Sequence, residues 1–368
     1  MKTRVSIVKC GTYDPYEVQT SVERAFELLE GGIGAFIKKD EKVLIKPNML
    51  SGRLPEHGVN TNLEVIRACS RLIKRQGARP LIGDNPGGSI TPSDAYQGSG
   101  LLNMAKEENI ECLEAKDVKM VKGLPIASYF FECDKIISIP KMKTHSLMGL
   151  TGAVKNMYGA VAGLNKSELH KRFPAPADFV HVIVDAFQVV RPHLVLMDGI
   201  VAMEGDGPAS GALRNVGLLL AGEDSVAVDS VFASLIGIDP LDMLTTKEAS
   251  NRGLGEAGME NIEIAGESLE ENVVRGFKLP GSAALLSLPS PIVRLLASLI
   301  RFGPYINEGI CKKCMICKDT CPVSAITIDD KISKIDYNKC IKCMCCHEIC
   351  PYKAVELKRN VLSKLFGL

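Results

Sequence analysis

The sequence predicts an α/β fold, with a mostly parallel sheet flanked by helices, followed by a small second domain near the C-terminus. Two observations predict it. Short β-branched runs alternate with segments of helical period over residues 4–265, which is typical of a parallel sheet with crossover helices. Nine of the 13 cysteines then fall within residues 311–350. The last part of the chain is therefore expected to form a separate unit.

The elements of the first domain can be assigned from apolar periodicity and from turn residues. Strands are predicted at residues 4–10, 42–46, 79–83, 135–139, 193–197, 215–221 and 261–265. Helices are predicted at residues 16–29, 62–76, 99–109, 178–190, 225–236 and 241–251. In the second helix Leu63, Ile66 and Ile73 recur at helical spacing, which predicts one buried face.

Polar and glycine-rich residues gather just after the predicted strand ends. They stand at residues 46–48, 84–88, 141–145 and 198–199, with a further group at 204–208. In parallel sheets the ligand crevice lies beyond the carboxyl ends of the strands, so we expect these loops to converge on one site. Each loop alone is also compatible with ordinary turns, since Gly, Pro, Asn and Asp are the usual turn residues.

A basic stretch at residues 141–163 predicts an anion site. Lys141, Lys143, His145 and Lys155 lie around Thr151-Gly152, where a helix is expected to begin with free N–H groups. A phosphate or carboxylate ligand fits this pattern, with Lys143, His145 and Lys155 as the candidate catalytic residues. The Gly-x4-Gly-Lys-Ser/Thr order of a P-loop is missing. A solvated basic loop is the alternative.

The cysteines of the second domain form two copies of the pattern Cys-x2-Cys-x2-Cys-x3-Cys-Pro. This is the spacing of a pair of [4Fe–4S] clusters, in which the fourth cysteine of each run binds the other cluster. One cluster is therefore expected on Cys311, Cys314, Cys317 and Cys350, and the other on Cys340, Cys343, Cys346 and Cys321. The unit is accordingly predicted as a small α+β ferredoxin-like two-cluster domain.

Zinc is the main alternative for these cysteines, because Cys-x2-Cys pairs also suit a tetrahedral zinc ion. A third cysteine at the same interval followed by Cys-Pro, twice over, is not a zinc pattern. Cys345 stands inside the second run, outside the regular register that uses Cys346. We therefore expect Cys345 not to be a ligand.

Composition narrows the function classes and the compartment. Lys+Arg 44 against Asp+Glu 43 gives a net charge of +1, so no global basic field indicates nucleic-acid binding. Thiolates that hold iron–sulfur clusters require a reducing compartment, which predicts a cytoplasmic protein without an export signal. The most apolar late segment, residues 283–300, is interrupted by Pro289, Pro291 and Arg294, so no membrane span is expected.

The expected organisation has four parts. Residues 1–277 form the α/β domain, residues 278–304 a Pro/Gly-rich connector with an apolar helix, residues 305–358 the two-cluster domain, and residues 359–368 an amphipathic tail. The connector is expected to pack the cluster domain onto the large domain. Its alternative role is contact with a partner protein.

The first domain resembles a known family, the domain of unknown function 362 family, here with a C-terminal two-cluster ferredoxin domain. The resemblance runs through roughly residues 4–265. It rests on the segments 43–48, 84–88, 141–145 with 152–156, and 198–199 followed by 204–208. The resemblance implies an iron–sulfur protein of anaerobic or redox metabolism, and it implies no particular reaction for the large domain.

The leading functional hypothesis is a redox protein, with a ferredoxin-type oxidoreductase activity as its enzymatic form. Two [4Fe–4S] clusters would pass electrons singly to chemistry on a small anionic substrate in the α/β domain, or to an electron donor or acceptor protein. One alternative is a non-redox domain that binds an anionic metabolite or transfers a group, with structural or sensing clusters. Another is an electron-transfer subunit without a catalytic site of its own.

Overall fold

The computed structural model describes residues 2–280, 302–329 and 332–359. The strands of the large domain are β1 Thr3–Lys9, β2 Lys42–Pro47, β3 Arg79–Gly83, β4 Glu111–Leu113, β5 Val118–Val121, β6 Leu124–Ala127, β7 Lys135–Ile139, β8 Lys141–His145, β9 Gly149–Thr151, β10 Leu194–Glu204, β11 Ala212–Gly222 and β12 Ile262–Gly266. Its α-helices are α1 Pro15–Glu27, α2 Gly32–Phe36, α3 Leu63–Arg75, α4 Pro92–Gly98, α5 Leu101–Glu107, α6 Ala153–Asn156, α7 Asn165–Arg172, α8 Pro176–Val189, α9 Ser225–Leu235 and α10 Leu244–Asn251.

The central sheet has ten strands, and its main path runs β12-β1-β11-β10-β7-β2-β3-β4. Most neighbours are parallel, as the alternation of strands and helices predicts; β11 runs antiparallel to both β1 and β10. Strand β8 extends the sheet beside β10, and β9 pairs with β8. A separate hairpin is formed by β5 and β6. The predicted fold class, a mostly parallel sheet with flanking helices, is confirmed.

Side chains alternate between the two faces of the sheet along each strand, so the core has one part on each face. Val43 and Ile45 of β2 pack with the helices α1 and α3, whereas Leu44 between them packs with α8 on the opposite face. Successive strand side chains point to opposite sides of a sheet, so a strand buried on both faces reads as a continuous apolar run. Each fully buried side chain of this size contributes about 1.5–3 kcal/mol.

Strands β8 and β10 depart from the sequence prediction, and the elements β4, β5, β6, α4 and α7 were not predicted. Strand β10 was expected to end at residue 197 and instead continues to Glu204, with an irregularity in its pairing between Gly199 and Val201. Residues 141–145, expected as a loop, form the buried strand β8. Pro140 separates β8 from β7 because proline has no N–H for the ladder. The two short strands are therefore one extended run interrupted at the proline.

The small domain is built from two copies of one unit. Its elements are β13 Phe302–Ile306, α11 Ile316–Thr320, β14 Ile326–Ile328, β15 Ser333–Ile335, α12 Cys345–Ile349 and β16 Val355–Arg359. Strand β13 pairs antiparallel with β16, and β14 with β15. The apolar helix predicted in the connector and the amphipathic tail fall largely on residues 281–301 and 360–368, which lie outside the described residues.

A buried ion pair ties β8 to β10. The Lys141 Nζ lies 2.7 Å from Asp198 Oδ2 and 2.6 Å from the Tyr13 hydroxyl, and Tyr13 in turn donates to Asp198 Oδ1 at 2.8 Å. Asp198 also accepts the amide N–H of Asn62 at 3.0 Å. Both charged side chains are at most 1% exposed. Lys141 is therefore held by the fold and has a structural role.

Replacing Lys141 with Met should destabilise the protein, because it leaves the buried Asp198 carboxylate without its counter-charge. Removal of one partner of a buried pair costs about 3–5 kcal/mol, which corresponds to a drop of several degrees in apparent melting temperature. The measurement is anaerobic thermal unfolding of the cluster-loaded protein, followed by circular dichroism. Lys171→Met, at an exposed position, is the matched control. Equal melting of the two variants would contradict the structural role of Lys141.

Candidate functional site

A cavity of about 90 Å³ lies between the large domain and the small domain. We call it the interdomain cavity. It is bounded by the segments that follow β2 and β3, by α6, by α7 and by α12. The charged, thiol and imidazole side chains that line it are Lys46, Asp84, Lys155, Lys166, His170, Cys345 and Glu348. The expected convergence of strand-end loops therefore occurs after β2 and β3, and the small domain supplies the remaining wall.

The wall formed by the large domain is organised by Lys46 and Asp84. Lys46 Nζ lies 2.8 Å from Asp84 Oδ1 and donates to the carbonyl of Pro47 at 2.7 Å and to Asn156 Oδ1 at 3.1 Å. Asp84 Oδ2 accepts the amide N–H of Met49 at 2.8 Å. Burial lowers the pKa of Lys46, and the charge of Asp84 opposes that shift. The pair fixes the ends of two strands against α6.

The backbone at Gly159 passes directly over this ion pair. A Cβ atom at this position would stand 2.1 Å from Asp84 Oδ1 and 2.6 Å from Lys46 Nζ. The Gly159 carbonyl also accepts a hydrogen bond from Asn85 Nδ2 at 2.8 Å. Glycine is required here because any side chain would collide with buried charged groups.

Two further lysines reach the cavity, and their hydrogen bonding differs. Lys166 donates to the carbonyl oxygens of Asn85 and of Pro86, and burial lowers its pKa to about 7. The side-chain ammonium of Lys155 makes no hydrogen bond to any residue that the structure describes. Burial lowers the pKa of Lys155, and the Glu348 carboxylate opposes that shift. Lys155 is thus the cation of the cavity that is open to a ligand.

The small domain presents Cys345 and Glu348 to the cavity from one face of α12. The two residues are three apart, which places them together on a helix. Burial raises the pKa of Glu348 to about 7, although Lys155, Lys143 and Lys166 favour its charged form. Cys345 is buried. Two cysteines of the cluster pattern are close by: Cys346 lies on the same helix, and Cys350 directly follows its end. Helix α12 thus lies between the cavity and the cysteines of the cluster pattern.

An aromatic group closes another part of the cavity. The His170 ring stacks on Phe179 with centroids 3.9 Å apart, and Tyr158 meets Phe179 edge to face at 5.4 Å. Burial lowers the pKa of His170 to about 3, so its imidazole is neutral near pH 7. The Tyr158 hydroxyl donates to the carbonyl of Lys166 at 3.2 Å. These rings provide an apolar side to a cavity that is otherwise lined by polar groups.

Of the three candidate catalytic residues, Lys155 lines the cavity, and Lys143 and His145 lie behind its wall. Lys143 Nζ donates to the carbonyl of Val59 at 2.6 Å. His145 Nδ1 accepts the amide N–H of Leu147 at 3.2 Å, and its Nε2 lies 3.3 Å from Glu348 Oε1. Burial lowers the pKa of both groups well below their usual values.

The helix start at Thr151-Gly152 is occupied by a carboxylate of the protein itself. Asp229 accepts the amide N–H of Ala153 at 2.5 Å and that of Val154 at 3.1 Å. Burial raises the pKa of Asp229 to about 7, although these two N–H groups favour the charged form. The position at which the sequence predicts an external anion therefore holds an internal one, and Lys155 faces the cavity at the far end of α6.

The cysteines of the small domain are grouped as a cluster pair requires. Burial, together with the nearby thiols of Cys350, Cys314 and Cys311, raises the pKa of Cys317 to about 12. Burial also raises the pKa of Cys340 and that of Cys346, and the thiol of Cys321 adds to both shifts. The fourth cysteine of each run thus lies near cysteines of the other run.

The backbone of this domain also repeats at a constant interval of 29 residues. Positive φ angles occur at Lys313, Met315 and Ser324 and again at Lys342, Met344 and Lys353. Amide N–H groups approach three of the sulfurs, from Lys313 to Cys311 at 3.4 Å, from Ala325 to Cys321 at 3.3 Å and from Ala354 to Cys350 at 3.2 Å. Such N–H contacts suit cluster thiolates, so the residues present fit two [4Fe–4S] clusters. Within the described ranges, no three His, Cys, Asp or Glu side chains are placed to hold a single metal ion.

Direct contacts join the small domain to the large one around the cavity. Arg53 donates to the carbonyls of Ala209 and of Cys350. The amide N–H of Ser89 donates to Thr320 Oγ1 at 3.2 Å. Gly88, with a φ of +61°, lies so close to Thr320 that a Cβ atom would stand 2.5 Å from the hydroxyl. The two domains therefore meet through buried polar contacts that leave no room for an added side chain.

Several cavity residues were not singled out as site residues from the sequence. Lys46 and Asp84 belong to the segments that predict a crevice, and Asn156 belongs to the basic stretch at residues 141–163. Lys166 and Glu348 had no assigned role. For Glu348 a signal was present, since Cys345 and Glu348 share one face of a turn whose neighbouring cysteines are in the cluster pattern. Lys166 lies far from any strand end, and its place in the cavity depends on tertiary structure.

The chain matches known proteins over both domains. A family model described as "Domain of unknown function (DUF362)" matches residues 43–234, and a 4Fe-4S dicluster domain model matches residues 303–351. A thylakoid-associated protein of Synechocystis sp. is 30% identical over 308 residues, which cover 82% of this chain and 94% of that protein. In the part of the chain that the structure describes, no helix is both long enough and apolar enough to cross a membrane.

Two solved structures show a distant likeness. The lactate racemase apoprotein of Thermoanaerobacterium thermosaccharolyticum is 16% identical with a TM-score of 0.35, covering 61% of this chain and 54% of that chain. A protein from Thermotoga maritima is 11% identical with a TM-score of 0.33, covering 53% and 52%. This chain thus spans about half the length of each. Because the first family model covers more than half of the 368 residues, the protein belongs to the domain of unknown function DUF362 family, and it carries a C-terminal 4Fe-4S dicluster domain.

Proposed function

We propose that this protein is an iron–sulfur redox protein whose two [4Fe–4S] clusters exchange electrons with a small anionic substrate bound in the interdomain cavity. One observation carries the proposal: the cavity is lined by Lys155 of the large domain and by Cys345 and Glu348 of the cluster domain. Helix α12 alone then lies between a ligand that contacts Lys155 and the cluster cysteines. When bound, the clusters accept and release single electrons.

We assign one cluster to Cys311, Cys314, Cys317 and Cys350, and the other to Cys340, Cys343, Cys346 and Cys321. The solvent exposure of the cysteines supports an order in which electrons pass through the two clusters. Cys314 is exposed, whereas Cys343 and Cys346 are buried and flank Cys345 beside the cavity. An electron donor or acceptor protein would meet the first cluster at Cys314, and the second cluster would serve the cavity.

The side chains of the cavity have separate tasks in this proposal. Lys155 binds the anionic group, because its ammonium is otherwise without a hydrogen bond among the described residues. His145 acts as a positioning residue through Glu348, at 3.3 Å. Lys143 lies behind the wall, where its ammonium is bound to the Val59 carbonyl, and it does not contact the ligand. The rings of Tyr158 and His170 line one side of the cavity.

We also propose a cytoplasmic location. Cluster assembly needs reduced thiolates, which a reducing compartment maintains. The thylakoid association named for the relative from Synechocystis sp. is a property of that protein. Measuring the location of a tagged chain in fractionated cells tests this proposal.

The cofactor content is the first prediction. Protein reconstituted under anaerobic conditions should bind about eight iron and eight sulfide ions per chain, because the two runs supply ligands for two complete cubanes. Iron and sulfide are measured by colorimetric assay, together with the electron paramagnetic resonance spectrum of the reduced protein. About four of each would mean that a single cluster forms.

The second prediction concerns ligand assignment. Cys350→Ala should damage the cluster held by the first run, and Cys321→Ala the cluster held by the second, because the fourth cysteines cross over. Cys345→Ala should retain both clusters and serves as the matched control. The measurement is the spectrum of each reduced cluster in each variant. Damage confined to the cluster of the mutated run would refute the crossover, and a lost cluster in Cys345→Ala would make that residue a ligand.

The third prediction tests electron transfer to an anion. Protein in which each of the two clusters has taken one electron from dithionite, with the excess removed, should be reoxidised by a small carboxylate or phosphate ester that carries a reducible carbonyl group. The carbonyl takes two electrons, one from each cluster, and two protons, and the visible absorbance of the clusters follows the reaction. Lys155→Ala should weaken substrate binding about ten- to a hundredfold, since it removes a charge-assisted contact of about 1.5–3 kcal/mol. The control Lys171→Ala should behave as wild type.

A matching rate in Lys155→Ala and Lys171→Ala, with unchanged iron content, would place the substrate elsewhere. Reoxidation by no member of a broad panel of small anions would favour a protein acceptor. Binding of an anion without any change in the redox state of the clusters would favour a non-redox binding domain.

A further inference from the structure

The unpaired hydrogen-bonding groups around the interdomain cavity indicate that its ligand carries more than negative charge. Among the described residues, five buried polar atoms without a hydrogen-bond partner belong to side chains that line this cavity: Asn48 Oδ1, Asn85 Oδ1, Thr151 Oγ1, His170 Nδ1 and Glu348 Oε1. Buried polar groups are paired in the great majority of cases. Their concentration at one cavity indicates a ligand that supplies the missing partners.

The two carboxamide oxygens can only accept. Asn48 Nδ2 donates to Asn156 Oδ1 at 3.1 Å, and Asn85 Nδ2 donates to the carbonyl of Gly159 at 2.8 Å. These bonds fix the orientation of both amides, so that their oxygens are the atoms left unpaired. A group of the ligand near them must therefore be a hydrogen-bond donor. An anionic oxygen in that place would face another acceptor and would be repelled.

Lys155 imposes the opposite requirement. Its ammonium has three donor protons and no hydrogen-bond partner within the described part of the chain. Lys46 is already saturated, since its three hydrogen bonds go to Asp84, Pro47 and Asn156. An acceptor with negative charge is thus needed at Lys155, while a donor is needed at Asn48 and Asn85.

Size restricts the ligand further. A water molecule, which has one non-hydrogen atom, needs about 10–15 Å³ of cavity volume. A cavity of about 90 Å³ therefore holds roughly six to nine non-hydrogen atoms. The two requirements must therefore be met within one short molecule. A bare dianion such as phosphate satisfies Lys155 and leaves the carboxamide oxygens unpaired.

We infer that the cavity binds a short bifunctional anion, a carboxylate that carries a hydroxyl or amino group on a neighbouring carbon. The carboxylate pairs with Lys155. A hydroxyl donates its single proton to Asn48 Oδ1, whereas a protonated amino group can donate to both Asn48 Oδ1 and Asn85 Oδ1. This inference rests on the proposed function for the location of the substrate, and it deepens that function by naming the class of ligand. It requires no electron transfer, so binding to the oxidised protein tests it alone.

The experiment compares three matched probes by calorimetric titration of the oxidised, cluster-loaded protein under anaerobic conditions. Glycolate has both groups, acetate has the carboxylate alone, and ethylene glycol has hydroxyls alone. Glycolate should bind at least about tenfold tighter than acetate, because it also satisfies an otherwise unpaired buried acceptor. Ethylene glycol should show no binding. Glycine in place of glycolate reports whether an amino group serves as the donor.

Two variants separate the two halves of the site. Asn48→Ala should bring glycolate affinity down to that of acetate and leave acetate affinity unchanged. Lys155→Met should weaken both, and Lys171→Met should weaken neither. Iron content is measured in each variant, so that a misfolded protein is recognised, and Asn48→Ser is the smaller change if Asn48→Ala loses iron.

Equal affinity for glycolate and acetate in the wild type would overturn the inference, and so would binding of neither. The proposed function has a separate readout. If glycolate and glycine analogues bind as expected but neither they nor the corresponding 2-oxo acids change the redox state of the clusters, the ligand class stands and the redox role fails. If 2-oxo acids reoxidise the reduced clusters, taking one electron from each cluster and two protons, but glycolate binds no tighter than acetate, the redox role stands and the ligand class fails.

Discussion

The buried ion pair of Lys46 and Asp84 is the interaction on which the site depends. Its two charged groups are at most 2% exposed and 2.8 Å apart. Such a pair is stable only when the remaining donors and acceptors are satisfied, and here they are met by the Pro47 carbonyl, Asn156 and the Met49 amide. The ends of β2 and β3, the short helix α6 and the backbone at Gly159 are consequently fixed together. The cavity has a rigid wall because that wall is an electrostatic network.

The second wall comes from the small domain, so in the proposed function binding and redox chemistry share one site. Helix α12 carries Cys346 in the cluster pattern and presents Cys345 and Glu348 to the cavity. Close packing of Gly88 on Thr320 and the contact of Arg53 with the Cys350 carbonyl join the two domains. A displacement of either domain would therefore alter the cavity and the surroundings of Cys346 together.

The sequence was most informative where the chemistry is local. The cysteine spacing predicts the cluster domain because ligands three residues apart are adjacent in space, and the alternation of strands and helices predicts the sheet and the end at which its loops meet. It was least informative about partners of charged groups. Lys141 finds Asp198, 57 residues away, and the start of α6 finds Asp229, 76 residues away. No local pattern indicates such pairs. The sequence therefore predicted an external anion at the start of α6, where the fold places the Asp229 carboxylate.

These internal partners explain why one cation of the basic stretch differs from the rest. Lys141 is paired with Asp198, and Lys143 donates a hydrogen bond to the carbonyl of Val59. The Lys155 ammonium lacks any such bond in the described residues; burial lowers its pKa, and the Glu348 carboxylate opposes that shift. In the proposed function it is therefore Lys155, and neither Lys141 nor Lys143, that contacts the anion.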